Sequence, residues 1–265
     1  MTDLTIAIAT CGRPRILNRC IKSLIQNAGM DFKLLILDNS SAFTNDINAK
    51  PRKISIPHRI LEVSDKVGCC ESNNILADNC NTKYIMHMDD DLYIEDSPDI
   101  IKNMYTITSI ESPTIIGGTW FDTFYKSFRH QCMKYVYGDV YNIPCIKKVP
   151  ISYKDLQFNF TLVGTDECLH SMIMDREQVY SKVKWDNKFK WKGDRLDFFL
   201  QCKQANINLF TYCPQYFVHD PQPFKYGSIS YEDFGGKQAI EYFKEKWKIV
   251  PLVGWDKHQY KPGNE

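Results

Sequence analysis

The chain reads as an α/β protein built on a doubly wound sheet, and three observations predict it. Apolar runs alternate with amphipathic helical segments through the first half of the sequence. The runs are near-continuously apolar rather than alternating, which marks strands covered on both faces, as in a parallel sheet. Several of them end on short polar segments, and α/β sheets bind ligands at the carboxyl ends of their strands.

The first strand is "LTIAIAT" (4–10), ending at Cys11-Gly12-Arg13-Pro14. Pro14 suits the start of a helix, and Ile16, Leu17, Cys20, Ile21, Leu24 and Ile25 follow at helical spacing. "KLLILDNSS" (33–41) is a second strand that stops on Asp38-Asn39-Ser40-Ser41, and "HRILEV" (58–63) a third. Gly68 then precedes a helix carrying Ile75, Leu76 and Ala77. "KYIMHM" (83–88) is the fourth strand and runs directly into Asp89, Asp90 and Asp91. In "SPDIIKNMYTIT" (97–108) the pattern predicts a helix with Ser97 as N-cap and Pro98 at its first position. "PTIIGGTWF" (113–121) is a fifth strand.

Residues 122–165 are rich in aromatic and basic side chains without a clear period, and read as a strand-and-loop insertion. "ECLHSMIMDRE" (167–177) follows as a strand leading into a helix, "DRLDFFLQCKQAN" (194–206) as a helix, and "INLFTYCPQYFVHD" (207–220) as mostly extended. One amphipathic helix near "GGKQAIEYFKEKW" precedes a loop-like end. The expected organisation is one domain: a nucleotide-binding half (1–120), an acceptor and catalytic half (121–224), and a C-terminal helix and tail (225–265).

Composition narrows the class. At 265 residues the chain can bury a full core, and 43% hydrophobic with 25% charged residues is ordinary for a globular protein. The net charge of +1 excludes a global field drawing the molecule to nucleic acid or anionic lipid. No run approaches the roughly 18–20 apolar residues of a membrane span, and the N-terminus lacks the basic region of a signal peptide. The ten cysteines are scattered without a C-x-x-C pair, which suits small core residues in a reduced, cytoplasmic protein. The sequence is silent on oligomeric state.

Four strand-end features share one sheet edge in this reading. They are Thr10 to Arg13, Asp38, Lys66-Val67-Gly68, and Asp89 to Asp91. An Asp-Asn-Ser-Ser segment alone is usually a turn, and three consecutive aspartates alone are usually a solvated loop. Four together at the rim where α/β sheets bind ligands point instead to a ligand site with a seat for a divalent cation.

That layout resembles the nucleotide-sugar glycosyltransferases of family 2, which have the GT-A fold. The residues that carry the resemblance are Thr-x-x-Arg-Pro, "LDNSS", Gly68 with downstream Asn73 and Asn74, and a strand running into "DDD". It implies a GT-A type doubly wound mixed sheet, a UDP-sugar or similar donor, and Mn²⁺ or Mg²⁺ at the "DxD" element. A hard divalent cation offsets the charge of a diphosphate leaving group. By the same resemblance Asp91 is the metal ligand, Asp89 and Asp90 contact donor or metal, and Asp38 reads base or ribose. Thr10 and Arg13 flank the base, Lys66 approaches base or phosphates, and Asn73 belongs to the donor site.

Inverting transfer needs a general base for the acceptor hydroxyl. The resemblance places it at a helix start, where "GDRLDFF" offers Asp194 and Asp197, with Asp194 before Arg195 favoured. Trp185 and Trp191 flank the segment as acceptor platforms. His219 in "FVHDP" matches a late histidine that ligates the metal. The other five histidines read as structural. The acceptor is a glycan, a lipid-linked sugar or a hydroxymethylated DNA base. A non-catalytic nucleotide-sugar-binding module is the rival from another class.

Overall fold

The computed structural model describes residues 3–39, 54–63, 67–110, 114–129, 133–140, 143–150, 162–189, 193–220 and 236–251. The expected donor contact Lys66 and acceptor platform Trp191 lie outside them.

The first half follows the predicted rhythm. Strand β1 (Leu4–Thr10) leads to helix α1 (Pro14–Asn27), β2 (Lys33–Asp38) and β3 (His58–Glu62), then α2 (Cys69–Asn79) and β4 (Tyr84–Asp89). A short β5 (Leu92–Tyr93) and α3 (Ile100–Ile110) precede β6 (Ile115–Asp122) and β7 (Ser127–Arg129). Strands β8 (Met133–Val140), β9 (Ile143–Pro150) and β10 (Leu162–Gly164) follow, then β11 (Ser171–Asp175). The remainder is α4 (Arg176–Tyr180), α5 (Asp194–Gln204), β12 (Leu209–His219), α6 (Gly236–Trp247) and β13 (Val250–Pro251).

Ten strands form one mixed sheet with the order β10-β12-β6-β11-β4-β1-β2-β3, with β5 beside β12 and β7 beside β6. Strands β3, β2, β1 and β4 run parallel, and β11 enters antiparallel between β4 and β6. Strand β6 crosses the expected boundary at residue 120, so the two halves share this sheet. Strands β8, β9 and β13 form a second sheet.

Both faces of the main sheet are covered, as continuous apolarity predicts. On β1, Leu4, Ile6 and Ile8 pack one way, against α1 residues Leu17, Cys20, Ile21 and Leu24 and α3 residues Ile100, Ile101 and Met104. Ala7 faces the other way, into the cluster of Leu76, Val179, Phe198 and Phe243 from α2, α4, α5 and α6. Cysteines serve this packing: Cys20, Cys70, Cys80 and Cys202 are buried free thiols.

One helix start differs from expectation. Helix α3 begins at Ile100, not at Pro98, because Asp99 takes a left-handed φ of 65° and interrupts the turn. The Ser97 hydroxyl accepts from the Tyr216 amide (3.2 Å) instead of capping α3. It ties the β4–α3 connection to β12.

Candidate active site

Parallel register brings the expected residues to one edge. Thr10 lies opposite Asp38, and Ala9 opposite Asp89. Strands β6 and β12 are parallel and end at the same rim, with His219 opposite Asp122. Asn39 brackets this edge: its amide donates to the Val67 carbonyl (2.6 Å), and its carbonyl accepts the Val67 amide (2.9 Å).

The three aspartates have three different surroundings. Asp90 turns inward and is 1% exposed. Thr10 Oγ1 donates to its Oδ2 at 2.6 Å, and the Arg13 guanidinium grips both its oxygens through Nε (3.2 Å) and Nη2. The expected donor contact at Asp90 therefore gives way to a structural clamp, because both carboxylate oxygens are engaged inside the protein. Burial pushes the Asp90 carboxyl up to about 7, against the pull of Arg13.

Asp91 shares Arg13 through Nη1 (3.1 Å), and its Oδ1 faces His219 Nε2 at 3.7 Å. His219 Nδ1 donates to Asp122 Oδ2 (3.1 Å), which leaves the lone pair on Nε2 aimed toward Asp91. Trp120 stacks on the imidazole at 4.8 Å and fixes its plane. Burial and neighbouring Asp89 raise the Asp91 carboxyl, against Arg13 and His219. The Asp91 carboxylate suits Mn²⁺ or Mg²⁺, and the carboxylate-oriented imidazole is an acceptable further ligand to Mn²⁺. Among the described residues no group of three or more His, Cys, Asp or Glu is set to hold an ion by itself. Two protein ligands suit an ion that completes its shell with water and substrate phosphate oxygens.

Asp89 keeps the most exposed carboxylate of the three, 37% accessible against 1% and 11%. His170 Nδ1 donates to its Oδ1 at 2.6 Å, while the Asn73 amide donates to His170 Nε2 at 3.1 Å and so sets the tautomer. Burial pushes Asp89 up, but His170, Arg195 and His219 outweigh it and hold the carboxyl below its ordinary range. The structural reading of His170 misses this contact. Strand β11 is antiparallel with Ser171 opposite Met88, so the residue before the strand arrives beside Asp89. Gly117 lets the preceding loop close on β6, where any Cβ would lie 2.3 Å from that of Cys168.

Asp194 opens α5 behind Gly193, which takes a left-handed φ of 79°. The Asp194 charge is felt at Cys69 and Arg195, as is that of Asp89. Burial, then Asp194 and Asp89, pushes the Cys69 thiol well up. Burial works against the Arg195 charge, but Glu167, Asp194 and Asp89 more than restore it. Asp194 itself is half-buried on the first turn of α5.

Two expected site residues are corrected. Asp197 is 0% exposed and accepts from Gln201 (2.7 Å) and Trp247 (2.8 Å), with Lys246 Nζ at 2.7 Å. Its carboxylate fastens α6 onto α5 and is closed to an acceptor. Trp185 is 2% exposed, stacked on Phe198 at 4.0 Å, with its indole N–H donated to Tyr180 (3.1 Å). It is core, not platform. Of the remaining expected donor contacts, Thr10, Asp38 and Asn73 are 3%, 0% and 1% exposed and lie beneath the rim.

The family model described as Glycosyl transferase family 2 matches residues 5–180. No curated protein sequence matches the chain. Among solved structures, S. aureus TarS 1-349 in complex with UDP-GlcNAc is 14% identical with a TM-score of 0.64, over 96% of this chain and 68% of that one. GalNAc-T7 with UDP, GalNAc and Mn²⁺ is 11% identical with a TM-score of 0.66, over 94% of this chain and 49% of that one. A further structure of S. aureus TarS 1-349 is 12% identical with a TM-score of 0.58, over 83% of this chain and 60% of that one. At such identities the likeness speaks to fold, which is of the GT-A type. No helix among the described residues is long and apolar enough to cross a membrane.

Proposed function

The chain belongs to glycosyl transferase family 2, and from that membership we propose that it moves a sugar from a UDP-sugar to an acceptor hydroxyl with inversion. The observation that carries this reading is the facing pair Asp91 and His219 on the sheet edge that also ends at Asp89. UDP as the nucleotude carrier is supported by the two structural neighbours that hold UDP or UDP-GlcNAc.

Asp91 and His219 would hold Mn²⁺ or Mg²⁺, which when bound offsets the negative charge on the diphosphate leaving group. The chain's own groups do the rest. Asp122 keeps His219 in the Nδ1–H tautomer. The Thr10–Arg13–Asp90 clamp fixes the turn that carries Asp91. Asp89, steadied by His170, offers a carboxylate oxygen to a donor hydroxyl such as that of the ribose. Asp194 takes the acceptor proton as the acceptor oxygen attacks the anomeric carbon. Positioning and charge compensation supply most of the acceleration, with no covalent intermediate.

Thermal shift of the wild-type chain and of Asp91→Ala, with UDP and Mn²⁺ separately and together, tests the reading. A ligand that binds only the folded state raises the melting temperature. UDP should stabilise the wild type only with Mn²⁺, and Asp91→Ala should lose the joint effect. An equal UDP response without metal, or in the variant, overturns the metal assignment. UDP binding without transfer or donor hydrolysis would support the non-catalytic module instead. Acceptor affinity that falls steeply with salt would indicate modified DNA, and salt-insensitive affinity a neutral glycan.

A further inference from the structure

We propose that the turn joining β6 to β7 is a docking platform for a neutral acceptor glycan, through the rings of Phe124 and Tyr125. This rests on the glycosyltransferase reading above and adds the acceptor's chemistry and place. Phe124 is 73% and Tyr125 58% exposed, and with Ile25 and Ile110 they are the exposed large hydrophobic residues among the described ones. Their rings meet edge to face at 4.9 Å and form one two-walled aromatic surface.

The surface is fastened to the metal-binding corner. Asp122 Oδ1 accepts the amides of Phe124 and Tyr125, both at 3.0 Å, while its Oδ2 holds His219. The Thr123 amide donates to the His219 carbonyl (2.9 Å), and the Thr123 hydroxyl to Asp220 (3.1 Å). The Asp220 amide in turn donates to the Asp91 carbonyl (3.1 Å). A single carboxylate thus sets both the His219 imidazole and the backbone that presents the rings, so the platform keeps a constant position relative to the transferred sugar.

Charge selects the occupant. A pyranose offers a C–H face that stacks on aromatic rings and needs no counter-charge, whereas a nucleic acid brings phosphates that require cations. This corner carries Asp122 and Asp220, and the Tyr93 beside it lies in the field of Glu95, Asp220 and Asp96. The cations here include Arg19, already paired with Asp220 at 2.7 Å, Lys126 in the turn itself and Arg129 on β7. The acidic groups offset these cations, so a polyanion would find no net positive field here, and a neutral glycan needs none.

The test uses the full chain with UDP and Mn²⁺ on an array of defined neutral and anionic glycans, with a single-stranded DNA oligonucleotide as a separate arm. The wild type should retain neutral glycans, Phe124→Ala/Tyr125→Ala should lose at least tenfold, and Phe124→Trp/Tyr125→Trp should recover binding. The UDP thermal shift should be the same in all three. Equal glycan retention by the alanine variant, no neutral glycan retained by the wild type, or preferential retention of the DNA overturns the platform. These results leave the donor reading standing when the UDP shift persists. A wild type without a UDP shift removes both.

Discussion

Replacing Asp197 tests whether this carboxylate fastens helices or performs chemistry. Asp197→Ala removes the acceptor for Gln201, Trp247 and Lys246 at once. Breaking a fully buried ion pair costs about 3–5 kcal/mol. Two features of the structure lower that figure here. Lys246 is 27% exposed and keeps Asp186 at 2.8 Å, so its charge is not stranded. Burial also raises the Asp197 carboxyl despite Lys246, so removing the charge recovers part of a desolvation cost. What remains is the Trp247 indole N–H left without its acceptor, worth about 1–3 kcal/mol. The expected loss is therefore about 1–3 kcal/mol for alanine, and about 1 kcal/mol or less for asparagine, which still accepts from Trp247. Urea denaturation followed by tryptophan fluorescence measures both, and hydrogen exchange should show earlier opening of α6 around Phe243. Two variants as stable as the wild type would refute the anchor. An asparagine variant of wild-type stability that loses transfer a hundredfold would return Asp197 to the reaction.

Three further outcomes follow from the site. Asp194→Asn should lower turnover by about 10²–10⁴-fold with an unchanged UDP thermal shift, and a fall of less than tenfold would remove it as the base. His170→Phe deletes the 2.6 Å bond to Asp89 and should raise the donor KM roughly tenfold to a hundredfold, with partial recovery in His170→Gln. A lowered melting temperature with KM unchanged would reduce His170 to packing. Burial, then His170, lowers His87 to about 3, so below about pH 6.5 the unfolded chain binds a proton that the folded chain refuses. Stability should fall as pH drops from about 6.5 toward 3, by up to about 1.4 kcal/mol per unit from this group. Urea unfolding at successive pH values should show a shallower slope in His87→Gln.

The parallel half was legible because its signals are local. Continuous apolarity, Pro14 at the start of α1 and the polar residues closing β1, β2 and β4 each follow from nearest-neighbour chemistry. What escaped depends on distant partners. Ser97 and Pro98 look like a helix start, but the hydroxyl is claimed by Tyr216, 119 positions away. His170 looks structural until β11 is known to run antiparallel, since only then does the start of a strand fall on the ligand edge. Asp194 and Asp197, three residues apart on one helix, look interchangeable. The approach of α6 separates them, because it closes over the second and leaves the first half-buried.

The run Asp89-Asp90-Asp91 shows how such a cluster is made tolerable and why its members are not equivalent. Unit charges about 4 Å apart near a protein surface repel by roughly 4 kcal/mol, so three adjacent carboxylates need separate compensation. Asp90 has it from Arg13 and Thr10, which engage both its oxygens inside the protein. Asp89 has it from His170 and the field of Arg195, and its carboxyl stays low and partly exposed. Asp91 has it least: it takes one nitrogen of a guanidinium whose other two nitrogens serve Asp90, its second oxygen lies 3.7 Å from His219 Nε2, and its carboxyl is raised. A cation adds most where compensation is weakest. The same ranking that makes Asp90 a scaffold makes Asp91 the position where a divalent ion would be held most strongly.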